Sequence, residues 1–102
     1  MELKPGSRWK SAVCSAEVVI VRPPKAPVRL ECGGLPMLPM AAERSEGLSV
    51  SPDHSAGVML GKRYFDADLG IEVLASKPGE GSLSIDGRTL PVKEAKALPS
   101  SD

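Results

Sequence analysis

Gly6-Ser7-Arg8-Trp9-Lys10-Ser11-Ala12-Val13-Cys14-Ser15-Ala16-Glu17-Val18-Val19-Ile20-Val21-Arg22-Pro23 is the stretch on which the fold turns, because its pattern returns later in the chain. Shifting the sequence by 55 positions, without a gap, lays residues 6–37 on residues 61–92. Gly6 then meets Gly61, Arg8 meets Arg63, Trp9 meets Tyr64, Glu17 meets Glu72, Val18 meets Val73 and Pro23 meets Pro78. The match closes with Leu35 on Leu90 and Pro36 on Pro91, and eight of the 32 pairs are identical. Self-similarity at a fixed spacing marks a duplicated structural unit. Each copy opens with Gly-x-Arg-aromatic, runs through one strand, turns at proline and returns through a second strand. A unit of about 35 residues rarely buries enough surface to fold alone, so two copies packed face to face about a pseudo-two-fold axis are expected to share one core.

The segments between breakers read as strands. Val18-Val19-Ile20-Val21 is β-branched and stops at Pro23-Pro24. Val28-Arg29-Leu30-Glu31-Cys32 alternates apolar and polar and ends at Gly33-Gly34, and Ile71-Glu72-Val73-Leu74 ends before Lys77-Pro78-Gly79. Ser82-Leu83-Ser84-Ile85 runs into Asp86-Gly87, a tight-hairpin signal, and Thr89-Leu90-Pro91-Val92 follows it. Ten prolines leave few windows for a three-turn helix, since an interior proline costs ~3 kcal/mol. The one helical stretch expected is short, at residues 94–98. The fold class is therefore mostly β, organised as a first unit at 1–40, a polar linker or loop at 41–57, a second, cysteine-free copy at 58–93 and a tail at 94–102.

Charge and composition exclude several functions. Thirteen Lys+Arg balance 13 Asp+Glu, and no basic run occurs, which argues against a nucleic-acid binder. No apolar run approaches ~18 residues, and Met1-Glu2-Leu3-Lys4-Pro5-Gly6 is not a secretory signal. A cytoplasmic protein without a membrane partner is the expectation.

Both cysteines lie in the first copy, Cys14 in the β-rich stretch above and Cys32 in Leu30-Glu31-Cys32-Gly33-Gly34-Leu35-Pro36-Met37. These residues resemble the desulforedoxin family, the rubredoxin-like iron domain also found at the N-terminus of desulfoferrodoxins. That family reads aromatic-Lys-Cys-x-x-Cys-Gly, a Val-rich strand, a Gly-containing turn and Leu-x-Cys-Cys-Gly-x-x-Met. Trp9-Lys10, Cys14, Val18 to Val21, Leu30, Cys32, Gly34 and Met37 match it, over residues 6–37 and more weakly 61–92. The departures fall on the metal ligands. Ser11 stands at the first cysteine position and Gly33 at the fourth, while Asp66, Leu69, Gly87 and Arg88 fill the four positions of the second copy. A tetrahedral thiolate site needs four ligands, so the resemblance implies a degenerate site in the first unit and none in the second.

Four states of Cys14 and Cys32 follow. They are reduced cysteines left from a lost site, a disulfide, a metal site, or a reactive redox-cycling thiol. The metal site would hold Fe or Zn, completed by His54, Asp53, Glu31 or the cysteines of a second chain in a homodimer. Without such a dimer no cofactor is expected.

Other features read plainly. The single histidine, in Asp53-His54-Ser55, is an exposed loop residue rather than a triad member, because adjacent residues rarely point at one another. One histidine also excludes the superoxide-reductase centre of desulfoferrodoxin relatives. Lys77-Pro78-Gly79-Glu80-Gly81-Ser82 is a hairpin loop and not a phosphate loop, lacking Gly-Lys-Ser/Thr. The repeated Glu17 and Glu72 are expected to pair with the repeated Arg8 and Arg63. Pro36, Met37, Leu38 and Met40 form an apolar, proline-stiffened run suited to a protein partner. With no nucleophile–base pair and no full metal site, the expected function is a non-enzymatic accessory or interaction module. A metal-binding electron-transfer protein and a thiol–disulfide switch are the alternatives.

Overall fold

The structure is a computed structural model that describes residues 2–93; the helix expected at 94–98 and the C-terminal tail lie outside the described residues. The chain is mostly β, in two antiparallel sheets. Strands β1 (Arg8–Lys10) and β2 (Glu17–Arg22) come from the first copy, and β6 (Arg63–Phe65) and β7 (Glu72–Lys77) from the second. With β5 (Leu38–Pro39) they form one sheet in the order β5-β1-β2-β7-β6. The other sheet is β4-β3-β8-β9, from β3 (Leu30–Cys32), β4 (Leu35–Pro36), β8 (Leu83–Ile85) and β9 (Arg88–Thr89). Each sheet is therefore joined at its middle by a strand from each copy.

The repeat is visible in individual hydrogen bonds. Gly6 N donates to Ile20 O (2.7 Å), and Gly61 N, 55 residues on, donates to Ala75 O (2.9 Å). Ser11 N donates to Ala16 O (2.9 Å), and Asp66 N to Ile71 O (3.0 Å). Past the proline turn the spacing changes to 53. Met37 N donates to Leu30 O (2.9 Å) while Leu90 N donates to Leu83 O (2.9 Å), and β3 and β4 recur as β8 and β9 at that spacing. The ungapped shift of 55 thus holds for the first hairpin of each copy only. Connector 23–29 is two residues longer than connector 78–82. Two residues are one full period of a strand, so the slip leaves the inward and outward faces unchanged, and a sequence match at 55 looks continuous across it.

Pairing of β2 with β7 centres on Val19↔Leu74, with Val18↔Ala75 and Ile20↔Val73 to either side. Pairing of β3 with β8 centres on Glu31↔Ser84. Both short hairpins close with two-residue turns that need positive φ at both positions, filled by Gly33 (67°) and Gly34 (93°), and by Asp86 (48°) and Gly87 (85°). Val18, Ile20, Leu30, Cys32, Met37, Val73, Ala75, Leu83, Ile85 and Leu90 bury their side chains in one cluster drawn from both sheets. Trp9 and Tyr64, equivalent in the repeat, join it. No helix among the described residues is long and apolar enough to cross a membrane.

Segment 41–57 carries no strand and one short 3-10 helix, Pro52–His54. It is nevertheless tied down at the sheet that holds Cys32. Ser51 N donates to Gly33 O (3.0 Å), and His54 O accepts from Ser82 N (2.9 Å). These bonds link it to both copies.

The repeated glutamates are paired asymmetrically. Glu72, almost fully buried, meets Arg63 at 3.2 Å and Lys93 at 2.8 Å, whereas Glu17 meets Lys77 at 3.2 Å rather than Arg8. The antiparallel register explains this, since Glu17 lies opposite Lys77. The Lys93 hydrogen bond, opposed by burial and aided by both cationic charges, holds the Glu72 carboxyl below the usual carboxylate range. A group whose pKa is lower folded than unfolded stabilises above its unfolded pKa and loses that effect as pH falls through the folded one. Glu72→Gln should therefore lower stability near neutral pH by about 1 kcal/mol. The gap from the parent should close on acidification through the carboxylate range, as read by thermal unfolding at a series of pH values.

Candidate functional site

Cys14 and Cys32 are brought together. Cys14 sits in the loop between β1 and β2, and Cys32 ends β3. Their sulfurs lie 3.8 Å apart, as free thiols in contact. Cys14 is half-buried and Cys32 fully buried.

The loop that carries Cys14 is shaped by an oxygen. Ser11 is fully buried, and its Oγ accepts from the backbone N–H groups of Val13 and Cys14, both at 3.1 Å. In the second copy Asp66 Oδ1 accepts from Asp68 N (2.9 Å) and Leu69 N (3.1 Å) in the same way. Short side-chain oxygens satisfy such N–H groups that a tight turn leaves without a backbone partner. Here the loop keeps its form through hydrogen bonds alone.

The second copy closes the site from the other side. Loop 78–82, between β7 and β8, passes over both sulfurs with two glycines. A Cβ on Gly79 would lie 2.7 Å from Cys14 Sγ and 2.6 Å from Ala16 N, and one on Gly81 would lie 2.7 Å from Gly33 N and Cα and 3.2 Å from Cys32 Sγ. Neither glycine has positive φ, so it is space and not backbone conformation that demands them. The loop is anchored by Ser15 Oγ to Pro78 O (2.7 Å) and by Gly33 N to Ser82 O (3.0 Å), and Val58 and Gly79 exchange backbone bonds of 2.9 and 3.1 Å.

These surroundings separate the two thiols electrostatically. For Cys14, burial acts to raise the pKa. It is outweighed by hydrogen bonds from the Ser11 hydroxyl, the backbones of Ala16 and Gly81, and the Cys32 thiol, so the net shift is downward. Cys32 is pushed up to about 12, first by burial and then by the neighbouring Cys14 charge. Its thiol donates to Gly81 O at 3.6 Å. The partly exposed Cys14 sulfur thus carries negative charge more readily than the buried Cys32 sulfur behind it.

The remaining candidates lie elsewhere. Glu31 is occupied, accepting from Ser84 Oγ (3.0 Å) and Gly87 N (2.9 Å) across the centre of the β3–β8 pair. His54 packs against Gly34, with its Nδ1 buried and without a hydrogen-bond partner, and Asp53 is exposed. No group of three metal-ligating side chains gathers among the described residues. Two thiols are half of a tetrahedral thiolate set, and a side chain at Gly33 would meet Val13 at 2.6 Å from a backbone at φ 67°. The described residues therefore do not make up a four-ligand site within one chain. Of the apolar run, Met37 is buried in the core, Leu38 is half-buried in the sheet-edge strand β5, and Pro36 and Met40 are exposed. Pro36 borders a shallow, open depression of about 380 Å³ with Pro27, Val28, Arg29 and Asp86.

Ser11, Gly79 and Gly81 are site residues that the sequence reading did not single out as such. The alternation Gly79-Glu80-Gly81 in a loop otherwise like any hairpin connector is the one signal available. No family model, curated protein or solved structure matches the chain.

Gly79→Ala should destabilise the protein by roughly 1–3 kcal/mol, the range for an added methyl in a packed site. It should also change the rate at which Cys14 reacts with a thiol reagent. Chemical denaturation and peptide-resolved alkylation read the two effects separately.

Proposed function

We propose that the protein is a non-enzymatic thiol–disulfide switch, an accessory β-module built from two desulforedoxin-like copies, in which Cys14 and Cys32 join reversibly. The observation that carries this reading is the 3.8 Å contact between a half-exposed thiol and a buried one with opposite pKa shifts. A disulfide needs sulfurs at about 2.05 Å, so the closure required is under 2 Å. The oxidant is a low-molecular-weight disulfide of the glutathione class. The Cys14 thiolate bonds to one of its sulfurs and expels the other half as a thiolate, which is protonated. The Cys32 thiol then gives up its proton and its sulfur bonds to Cys14 Sγ, expelling the second half. Two thiols become one disulfide, and one small disulfide becomes two small thiols.

The same 3.8 Å is close to the edge of a tetrahedron of thiolates ~2.3 Å from zinc. The complete burial of Cys32 beneath Gly81 favours the intramolecular disulfide over a metal shared between copies. Within the proline-stiffened run, Pro36 and Met40 are the exposed side chains that a protein partner of the module would meet.

The test is equilibration of reduced protein against mixtures of reduced and oxidised glutathione, followed by acid quench, alkylation and mass measurement. The wild type should lose both thiols together and regain both on reduction, and Cys32→Ser should retain glutathione on Cys14. Two thiols that stay free at every ratio, or stoichiometric Fe or Zn lost in Cys14→Ser, would contradict the switch.

A further inference from the structure

We propose that the outer face of the five-stranded sheet docks an acidic, extended segment of a partner protein, held by Arg8, Lys10 and Arg22 around the aliphatic patch of Val19, Val21 and Leu74. Strand register gathers these side chains. Residues opposite one another in an antiparallel pair share a face. Trp9, Val18 and Ala75 form one such row, and Ile20, Val73 and Tyr64 another, and all six are buried in the core. The row between them, Arg8, Val19, Leu74 and Arg63, therefore points outward. Its two arginines are exposed and its two aliphatic residues half-buried. A register shift between Ile20 and Arg22 then leaves Val21 and Arg22 together opposite Glu72, and both are exposed.

This face holds more cations than its carboxylates can pair. Arg63 and Lys93 occupy the two oxygens of Glu72, at 3.2 and 2.8 Å. Arg22, which lies opposite Glu72, is left without an ion pair among the described residues. Glu17 is held by Lys77 at 3.2 Å, so Arg8, the counterpart of Arg63 in the repeat, has no such pair either. Lys10 lies opposite Glu17 and is likewise unpaired among the described residues. The excess positive charge is local, because the charges of the chain balance as a whole.

The spacing and the chemistry point to one occupant. Arg8 and Lys10 stand two residues apart on β1, a distance of ~7 Å. An extended segment presents alternate side chains at the same interval, so carboxylates on alternate residues meet both cations. Arg22, past Val19 and Val21 on β2, takes a third carboxylate, and the aliphatic patch takes an apolar side chain of the same segment. A nucleic-acid strand fits less well. It gains from exposed aromatic rings on which bases stack, whereas the ring of Phe65 is half-buried with Lys93 5.7 Å from its centre. Glu17 and Glu72 within the face also repel phosphate. A second copy of the chain would meet its own excess charge.

The experiment is titration of the full, isotopically labelled chain with a synthetic peptide that carries three glutamates on alternate residues and one leucine, read by amide NMR shifts. Shifts should concentrate at residues 8–10, 17–22 and 74. Affinity should fall as salt rises from about 50 to about 300 mM, because these charges are exposed. Combining Arg8→Gln with Arg22→Gln should weaken binding about fivefold, the scale of two exposed ion pairs. Both arginines are exposed and unpaired among the described residues, so the double variant should keep the fold, which its NMR spectrum checks. Arg29→Gln, an exposed arginine beside the other sheet, should leave binding unchanged. A peptide with glutamine at each glutamate should bind about fivefold more weakly or worse. No shifts at millimolar acidic peptide, equal binding of the glutamine peptide, shifts confined to the other sheet, or tighter binding of an oligothymidylate than of the acidic peptide would overturn the proposal.

Discussion

The antiparallel pairing of β2 with β7 is the contact on which the rest of the structure depends. It joins the two copies within one sheet and fixes which loops meet. Because the strands run in opposite directions, the start of β2 lies beside the end of β7, with Glu17 opposite Lys77. The loop that precedes β2, carrying Cys14, is thereby set against the loop that follows β7, carrying Gly79. The β3–β8 pairing makes the matching arrangement on the other sheet, placing Cys32 opposite Leu83 just after Gly81. One five-residue connector from the cysteine-free copy therefore covers both sulfurs. A single copy could supply the two thiols but not their enclosure.

An oxygen at position 11 and its counterpart at 66 gives the loops a form independent of any bound ion. Ser11 and Asp66 each gather two backbone N–H groups that a turn of this tightness cannot pair with carbonyls. Such loops keep their shape whichever side chain stands at the position of Cys14 or Leu69. This is why one copy can hold a thiol pair while the other, with Leu69 in place of Cys14, holds none. Gly33 shows the reverse constraint, since the two-residue turn needs its positive φ and Val13 fills the space a side chain would occupy.

Much of the fold was legible because β-branched runs, proline stops and two-residue turns are local signals. Val18 to Val21, Asp86-Gly87 and, for the first hairpin of each copy, the 55-residue recurrence each correspond to structure at the same positions. The change to a 53-residue spacing was hidden because a two-residue slip in a strand preserves its alternation. The partner of Glu17 was not legible, since Lys77 reaches it only through the inter-copy register. Nor was the role of residues 51–54, whose backbone bonds to Gly33 and Ser82 have no side-chain signature. At the site, the two cysteines were identifiable by type. Their contact and their enclosure by glycines arise from long-range pairing, which residue type does not encode.

The central claim is that the fold itself, through these two strand pairings, holds Cys14 and Cys32 in reacting distance. The most direct measurement is the effective concentration of the thiol pair against glutathione, in native buffer and again in denaturant strong enough to unfold the chain. A value at least tenfold higher in the native protein is what the account requires. Equal values in the two states would show that the fold contributes nothing to bringing the sulfurs together, and would contradict it.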